Sequence, residues 1–161
     1  MAVGSASWSF TEEDFGAITE ALQRFLHETN ARCALLVDRS GQLVATVGEQ
    51  PNFDPTAFAT LTAADFSAND QLAKLIGEDD FSSLFHQGEK ESMYLADIAR
   101  RVILVALFDN RTTLGLVRLR IKDTVLELTK LFHEVFTRAK SAGSEPGLLA
   151  GADDEIDQLF R

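Results

Sequence analysis

The residue types that most often carry enzyme chemistry are few and scattered in this sequence. Its one cysteine, Cys33, lies in an apolar run typical of a buried strand, which favours a structural thiol over a nucleophile. No Gly-x-x-x-x-Gly-Lys-Ser/Thr motif is present, which excludes a P-loop nucleotidase. We therefore expect no catalytic residues, no metal and no cofactor. The histidines are isolated from one another and predict no metal site; they are His27, His86 and His133.

Carboxylates and cationic side chains offer two weaker candidates for chemistry. Asp38 and Asp109 each follow a predicted strand, where catalytic carboxylates often lie, but turn and cap roles are the ordinary interpretation. A cationic cluster near the start of the last predicted helix could contact an acidic partner or act as an arginine finger. A solvated helix face is the default interpretation of such a cluster. Its members are Arg111, Arg118, Arg120 and Lys122.

Length and charge limit the remaining classes of function. A chain of 161 residues, 45% of them hydrophobic, forms one core and little more. The net charge of −10 argues against nucleic acid and against an anionic membrane as partners. No apolar run reaches the roughly 20 residues that span a bilayer. Residues 1–10 lack the basic and apolar segments of a secretory signal, so we expect a cytoplasmic protein.

Hydrophobic periodicity predicts eight elements in the order α-β-β-α-β-β-β-α. Helices that alternate with hairpin-connected strands imply an α/β (α+β) fold, with helices packed on one largely antiparallel sheet. The continuous apolar run near residue 105 is typical of a central strand, and the short, mixed strand before it is typical of an edge. The predicted helices span 11–28, 55–76 and about 113–140, and the predicted strands span 33–37, 43–47, 82–87, 92–98 and 101–108.

Composition divides the chain into a disordered leader (1–9), a domain (10–140), a flexible linker (141–151) and a short amphipathic helix (152–161). A helix of ten residues is not stable alone in water. It packs on its own domain, docks on a partner or is a tail without function, and the linker favours docking. Its first turn is acidic, with Asp153, Asp154 and Glu155, and its apolar face consists of Ile156, Leu159 and Phe160.

The middle helix, 55–76, combines one apolar stripe with many small residues. The small residues allow a second surface to approach the backbone closely, and that surface is either the protein's own sheet or a partner. The stripe consists of Phe58, Leu61, Ala68, Leu72, Leu75 and Ile76, and the small residues are Ala57, Ala59, Ala63, Ala64, Ser67 and Ala68.

Several segments resemble the MglB family of bacterial Roadblock-domain proteins, which pair with the Ras-like polarity GTPase MglA. The resemblance covers about residues 10–140 and the acidic tail, and the 108–122 segment is its most specific part. The segments are Leu-Val-Asp-Arg-Ser-Gly-Gln-Leu (36–43), Leu-Ala-Lys-Leu-Ile-Gly-Glu (72–78), Phe-His-Gln-Gly-Glu-Lys-Glu-Ser-Met-Tyr (85–94), Phe-Asp-Asn-Arg-Thr-Thr-Leu-Gly-Leu-Val-Arg-Leu-Arg-Ile-Lys (108–122) and Asp-Asp-Glu-Ile-Asp-Gln-Leu-Phe (153–160).

This resemblance implies a five-stranded Roadblock-like sandwich and a homodimer built from the middle helix and the neighbouring edge strand, here 55–76 and about 82–88. It also implies a non-enzyme that activates an MglA-type GTPase and promotes its nucleotide exchange, in cell polarity or gliding motility, with enrichment at a cell pole. The implied GTPase-binding residues of the middle helix are Ala63, Ala64, Ser67, Ala68 and Gln71. The implied docking residues of the tail are Asp153, Asp154, Ile156, Leu159 and Phe160.

Ser67 and Gln71 depart from the very small residues that the family keeps on this helix, and Phe66, Asn69 and Asp70 also differ from the family's pattern. The departure leaves a second hypothesis open, a scaffold or paralogue that binds other Roadblock proteins or a different GTPase. A third hypothesis is a small-ligand sensor, although the apolar strands offer few convergent polar groups for a pocket.

Overall fold

The computed structural model describes residues 10–142, which form a five-stranded antiparallel sheet and three helices in the expected order. The predicted leader (1–9), most of the linker and the whole tail (152–161) lie outside the described residues. The elements are α1 (Glu12–Thr29), β1 (Cys33–Asp38), β2 (Leu43–Gly48), α2 (Pro55–Leu75), β3 (Ser83–Gln87), β4 (Ser92–Ile98), β5 (Val102–Phe108) and α3 (Leu114–Ala142).

The strands lie in the order β2-β1-β5-β4-β3, and all neighbours are antiparallel. Within the described residues, β5 is paired on both sides, with Leu107 opposite Cys33 of β1 and opposite Met93 of β4. This confirms the sequence-based prediction that the apolar run is a central strand. Strand β3 pairs only with β4, with His86 opposite Met93, and forms one edge of the sheet as predicted.

Helices cover both faces of the sheet, but unequally. The α1 and α3 helices cover one face, where Leu22 and Phe132 are buried with Leu36 and Leu104. The α2 helix covers the other face, where Phe66 is buried with Ile103 and with other side chains of β1, β4 and β5. One helix is narrower than a five-stranded sheet, so Leu84 of β3 and Met93 of β4 remain only partly buried beside α2.

The apolar stripe read from the sequence of α2 mostly faces away from the sheet. Leu61, Ala68, Leu72 and Leu75 are exposed. Small residues let the helix lie close to the sheet around one large side chain, Phe66, and this packing explains the unexpected orientation. The buried residues of α2 are Ala59, Thr62, Ala63, Phe66, Asn69 and Ala73.

Both ends of α2 are capped as the sequence indicates. The Asp54 side chain accepts a hydrogen bond from the Thr56 amide at 3.0 Å, and Pro55 occupies the first turn. At the other end Gly77 has φ +87°, and the amide of Glu78 donates to the carbonyl of Ala73 at 2.9 Å. That bond closes a Schellman motif, in which a left-handed glycine ends the helix.

Within residues 10–142, no helix is both long and apolar enough to cross a membrane.

Candidate partner-binding surface

The outward face of α2 carries large exposed apolar side chains. Leu61 is 70% exposed, Leu72 58% and Leu75 82%. Ala64 and Ala68 lie between them and are also exposed. From here on we call these five residues the apolar stripe; unlike the stripe predicted from the sequence, it includes Ala64 and leaves out Phe58 and Ile76. A contiguous exposed apolar surface of this kind marks an interaction site more often than an idle surface.

A second set of exposed residues, the polar stripe, lies beside the first on α2. It consists of Thr60, Ser67, Gln71 and Lys74, which follow one another at intervals of seven, four and three residues. Residues at such intervals share one side of a helix. The outward surface of α2 is therefore divided lengthwise into an apolar half and a polar half.

This division separates the residues that the resemblance implies for GTPase binding. Ala64 and Ala68 belong to the apolar stripe, and Ser67 and Gln71 belong to the polar stripe. Ala63 is buried beside the β1–β2 turn. If Gly41 of that turn carried a Cβ atom, this atom would lie 3.9 Å from the Cβ atom of Ala63. The structure thus brings four of the five to the outward face. The five tail residues, Asp153, Asp154, Ile156, Leu159 and Phe160, lie outside the described residues.

Asp65 shows which way the apolar stripe faces. Its Oδ2 lies 2.7 Å from Nε2 of His86 on β3. Leu61, Ala68 and Leu72 lie four residues before, three after and seven after Asp65, so they share its side of the helix. The apolar stripe therefore faces the side of the sheet that ends in edge strand β3.

Edge strand β3 provides backbone groups beside the apolar stripe. Within the described residues one long edge of β3 has no neighbouring strand, so its outward N–H and C=O groups can pair with another chain. Its sequence, Ser-Leu-Phe-His-Gln, contains no lysine, proline or carboxylate that would discourage such pairing. The exposed helix face and the open strand edge together form one candidate surface.

A partly buried ionic network holds α2 in place on the sheet. The guanidinium of Arg39, in the β1–β2 turn, donates to Asp70 of α2 at 2.5 Å and to Asp97 of β4 at 2.6 Å. It also lies 5.1 Å from the ring centroid of Phe66, a cation–π distance. The network fixes α2 relative to the β1–β2 turn and β4, and no pattern in the sequence indicates that Arg39, Asp70 and Asp97 meet.

The carboxylates that could have been catalytic have structural roles. Asp38 accepts a hydrogen bond from the amide of Ser40 at 2.7 Å and so stabilises the hairpin turn. Asp109 accepts from the side chain and the amide of Arg111, which together hold the pKa of its carboxyl below the ordinary value. Both residues fit the turn and cap interpretation.

Cys33 fits the structural interpretation as well. Burial raises the pKa of the Cys33 thiol to about 11, which opposes formation of a thiolate. Within residues 10–142 no three His, Cys, Asp or Glu side chains lie close enough together to hold a metal ion. Cys33 lines a groove of about 370 Å³ with Leu107, Phe53 and the charged residues Arg32, Glu49 and Glu91.

The family of the chain follows from comparison with known domains. The Roadblock/LC7 domain model matches residues 17–108, more than half of the sequence. The chain belongs to the Roadblock/LC7 family. The matched range begins inside α1 and ends with β5, so α2, β3 and the candidate surface all lie within the Roadblock/LC7 domain, whereas α3 follows it.

Solved Roadblock/LC7 structures named MglB are similar to this chain. MglB of Myxococcus xanthus has 48% sequence identity over 74% of this chain and 98% of its own, with a TM-score of 0.72. The gliding protein MglB from Thermus thermophilus has 33% identity over 81% and 98%, with a TM-score of 0.75. A third structure, described as MglB with a tetrameric arrangement, has the same identity and coverage and a TM-score of 0.76. Among curated proteins, none matches the sequence significantly.

Proposed function

We propose that this chain is a homodimeric regulator of a Ras-like GTPase of the MglA type. The similarity to MglB over nearly the full length of that protein carries the proposal. The exposed face of α2 and the open edge of β3 support it, because they offer one surface for a second copy and another for a GTPase.

The spacing of the apolar stripe favours pairing with a second copy of the chain. Its members follow one another at intervals of three, four, four and three residues, a pattern that is the same from either end. If two α2 helices cross antiparallel with Ala68 at the two-fold axis, Leu61 of one protomer faces Leu75 of the other, and Ala64 faces Leu72. The small side chain of Ala68 allows close approach at the crossing point, and the same residues of both protomers then meet, as in an isologous interface.

Strand β3 suits the same two-fold axis. Asp65 and His86 are in contact, and Asp70 reaches the other end of the sheet through Arg39. From the Asp65–His86 contact, one residue along the strand leads to Phe85, about 3.3 Å away. In the same direction, three residues along the helix lead from Asp65 to Ala68, about 4.5 Å away. Phe85, the middle residue of β3, therefore lies nearly level with Ala68. One axis can relate both the helices and the edge strands of two protomers.

The polar stripe stays accessible in such a dimer and is where we place the GTPase. Ser67 and Gln71 project from α2 on the flank opposite β3, so pairing through the apolar stripe does not cover them. The tail, through Asp153, Asp154, Ile156, Leu159 and Phe160, supplies a second contact with the GTPase. The regulator contributes no catalytic group; it acts by positioning the GTPase's own residues for hydrolysis, and by promoting nucleotide exchange.

The experiment that tests the function uses the MglA-type GTPase encoded in the same genome. Single-turnover GTP hydrolysis and release of a fluorescent GDP analogue are measured with and without an excess of the chain. Acceleration of either rate supports the proposal. If the complex forms, shown by a separate binding measurement, but neither rate changes, the regulator function is rejected.

A scaffold is the second candidate function, and the side chain of Gln71 favours it. Gln71 is exposed in the middle of the polar stripe, where the family keeps very small residues, and its bulk changes the shape that a GTPase would meet. Under this alternative the same face binds another Roadblock protein. Replacement of Gln71 by Gly distinguishes the two, because it improves GTPase binding only if the GTPase contacts this position.

A further inference from the structure

We propose that the outward face of α3 is a docking site for this chain's own acidic segment, residues 152–161. Leu119 and Leu126 are 60% and 63% exposed and lie seven residues apart on one side of α3. These are large exposed apolar side chains that neither the apolar stripe of α2 nor the edge of β3 explains.

The surroundings of these two leucines are cationic. Lys122 and Lys130 are exposed beside the leucines, and Arg118 is exposed farther round the helix. Asp123 and Glu134 are exposed carboxylates on this side, and Glu127 at its margin is paired with Arg24. None of the ion pairs found among the described side chains involves Arg118, Lys122 or Lys130. In a chain with a net charge of −10 this surface is unusual: it is apolar at the centre, and its three cations outnumber the two exposed carboxylates, Asp123 and Glu134. A complementary partner is an acidic amphipathic segment.

Residues 152–161 have that chemistry. Asp153, Asp154, Glu155 and Asp157 are acidic, and at helical spacing Ile156, Leu159 and Phe160 form one apolar face. The apolar face matches the two leucines, and the carboxylates match the cations around them. A helix this short needs a surface to fold against, and α3 supplies one of the right chemistry.

The length of the chain between the two partners permits the contact within one molecule. From Ala142 back to Lys130 the α3 helix measures about 18 Å. Residues 143–151 can span up to about 30 Å when extended. A tail that turns back along α3 therefore reaches Leu126 and Leu119. A short tether gives an effective concentration of roughly millimolar, so an intrinsically weak contact is enough to hold the tail.

Docking on α3 has a regulatory consequence that rests on the proposed function. The apolar face of the tail cannot contact α3 and a GTPase at the same time. The α3 site therefore holds the tail until a GTPase competes for the tail. While the tail is docked it cannot bind the GTPase, so the apparent affinity for the GTPase falls as the docked fraction rises.

Paramagnetic relaxation enhancement on the full chain tests the docking without any GTPase, so its failure is distinct from failure of the proposed function. A nitroxide is attached at Gln158→Cys; Cys33 can remain because it is buried. We expect loss of amide signal along residues 119–130 in the tagged ¹⁵N-labelled chain. The double variant Lys122→Glu/Lys130→Glu should restore these signals, whereas Lys74→Glu, a single charge reversal of the same kind on α2, should not.

Two results overturn the inference. The first is broadening centred on α2, or none at all. The second comes from a mixture in which one set of chains carries the tag without ¹⁵N and the other carries ¹⁵N without the tag. Equal broadening of residues 119–130 in this mixture would mean that the tail docks on another copy of the chain. A charge swap provides the rescue: adding Asp153→Lys/Asp154→Lys to the double variant should bring the broadening of residues 119–130 back.

Discussion

Nε2 of His86 lies 2.7 Å from Oδ2 of Asp65, and this contact joins edge strand β3 to the side of α2 that bears the apolar stripe. It aligns the middle of the strand with the middle of the helix, so that one two-fold axis can serve both. The proposed dimer and GTPase surfaces follow from that alignment. Residues of α2 on the side of β3 are assigned to the second protomer, and their neighbours on the opposite flank are assigned to the GTPase.

Ala68→Arg should break the homodimer. The side chain would place two like charges at the proposed two-fold axis, where the two α2 helices of the proposed dimer approach most closely. Size-exclusion chromatography with light scattering should show the mass falling from twice the protomer's 17.7 kDa to that of one protomer. A dimer that survives this change would show that α2 is not at the axis.

Ser67→Arg should abolish GTPase binding and leave the dimer intact. Ser67 precedes Ala68 but belongs to the polar stripe, so the same long cation projects away from the second protomer and into the proposed GTPase surface. Light scattering and a titration with the GTPase give the two readouts. Because Ala68→Arg introduces the same side chain one position along, the two variants control for each other. Loss of the dimer in Ser67→Arg would contradict the division of α2 into two stripes.

Arg39→Met should lower the free energy of unfolding by about 2–3 kcal/mol, because it leaves the partly buried carboxylates of Asp70 and Asp97 without their cation. Urea unfolding at fixed protein concentration measures the loss. The control is Arg24→Met, which removes an exposed ion pair with Glu127 and should leave stability nearly unchanged. Equal effects of the two variants would mean that the Arg39 network does not anchor α2.

Gly48→Ala should destabilise the fold by about 2–4 kcal/mol. Gly48 ends β2 with φ +101°, and a Cβ there would lie 2.5 Å from the carbonyl oxygen of Arg32. Gly16 provides the matched control, since it is exposed inside α1 with nothing within 4 Å of an added Cβ. Gly16→Ala should raise stability by about 0.5–1 kcal/mol, the usual helix preference for alanine. Thermal unfolding of the two variants side by side checks both signs.

Much of the fold can be predicted from the sequence, because local signals mark its elements. Gly77 and Asp54 set the ends of α2 to within one residue, and the apolar run of β5 indicates a strand buried on both faces. The predicted strand bounds differ from the observed ones by one residue at most. Helix α3 ends at Ala142, two residues inside the predicted linker.

The orientation of α2 could not be predicted in the same way. A helix with apolar side chains on two sides gives no local signal for which side meets the sheet, and here alanines around Phe66 meet it while leucines stay exposed. The Arg39 network was equally hidden, because its carboxylates lie 31 and 58 residues away in sequence. Such contacts depend on tertiary packing and have no local spacing pattern.

The central claim, that this chain regulates a GTPase through the polar stripe of α2, is tested most directly by one rate. That rate is single-turnover GTP hydrolysis by the MglA-type GTPase of the same genome, measured against increasing concentrations of the wild-type chain and of Ser67→Arg. We predict a saturable acceleration with the wild-type chain and none with the variant. Equal acceleration by both would contradict the assigned surface, and no acceleration by the wild-type chain, despite demonstrated binding, would contradict GTPase activation itself.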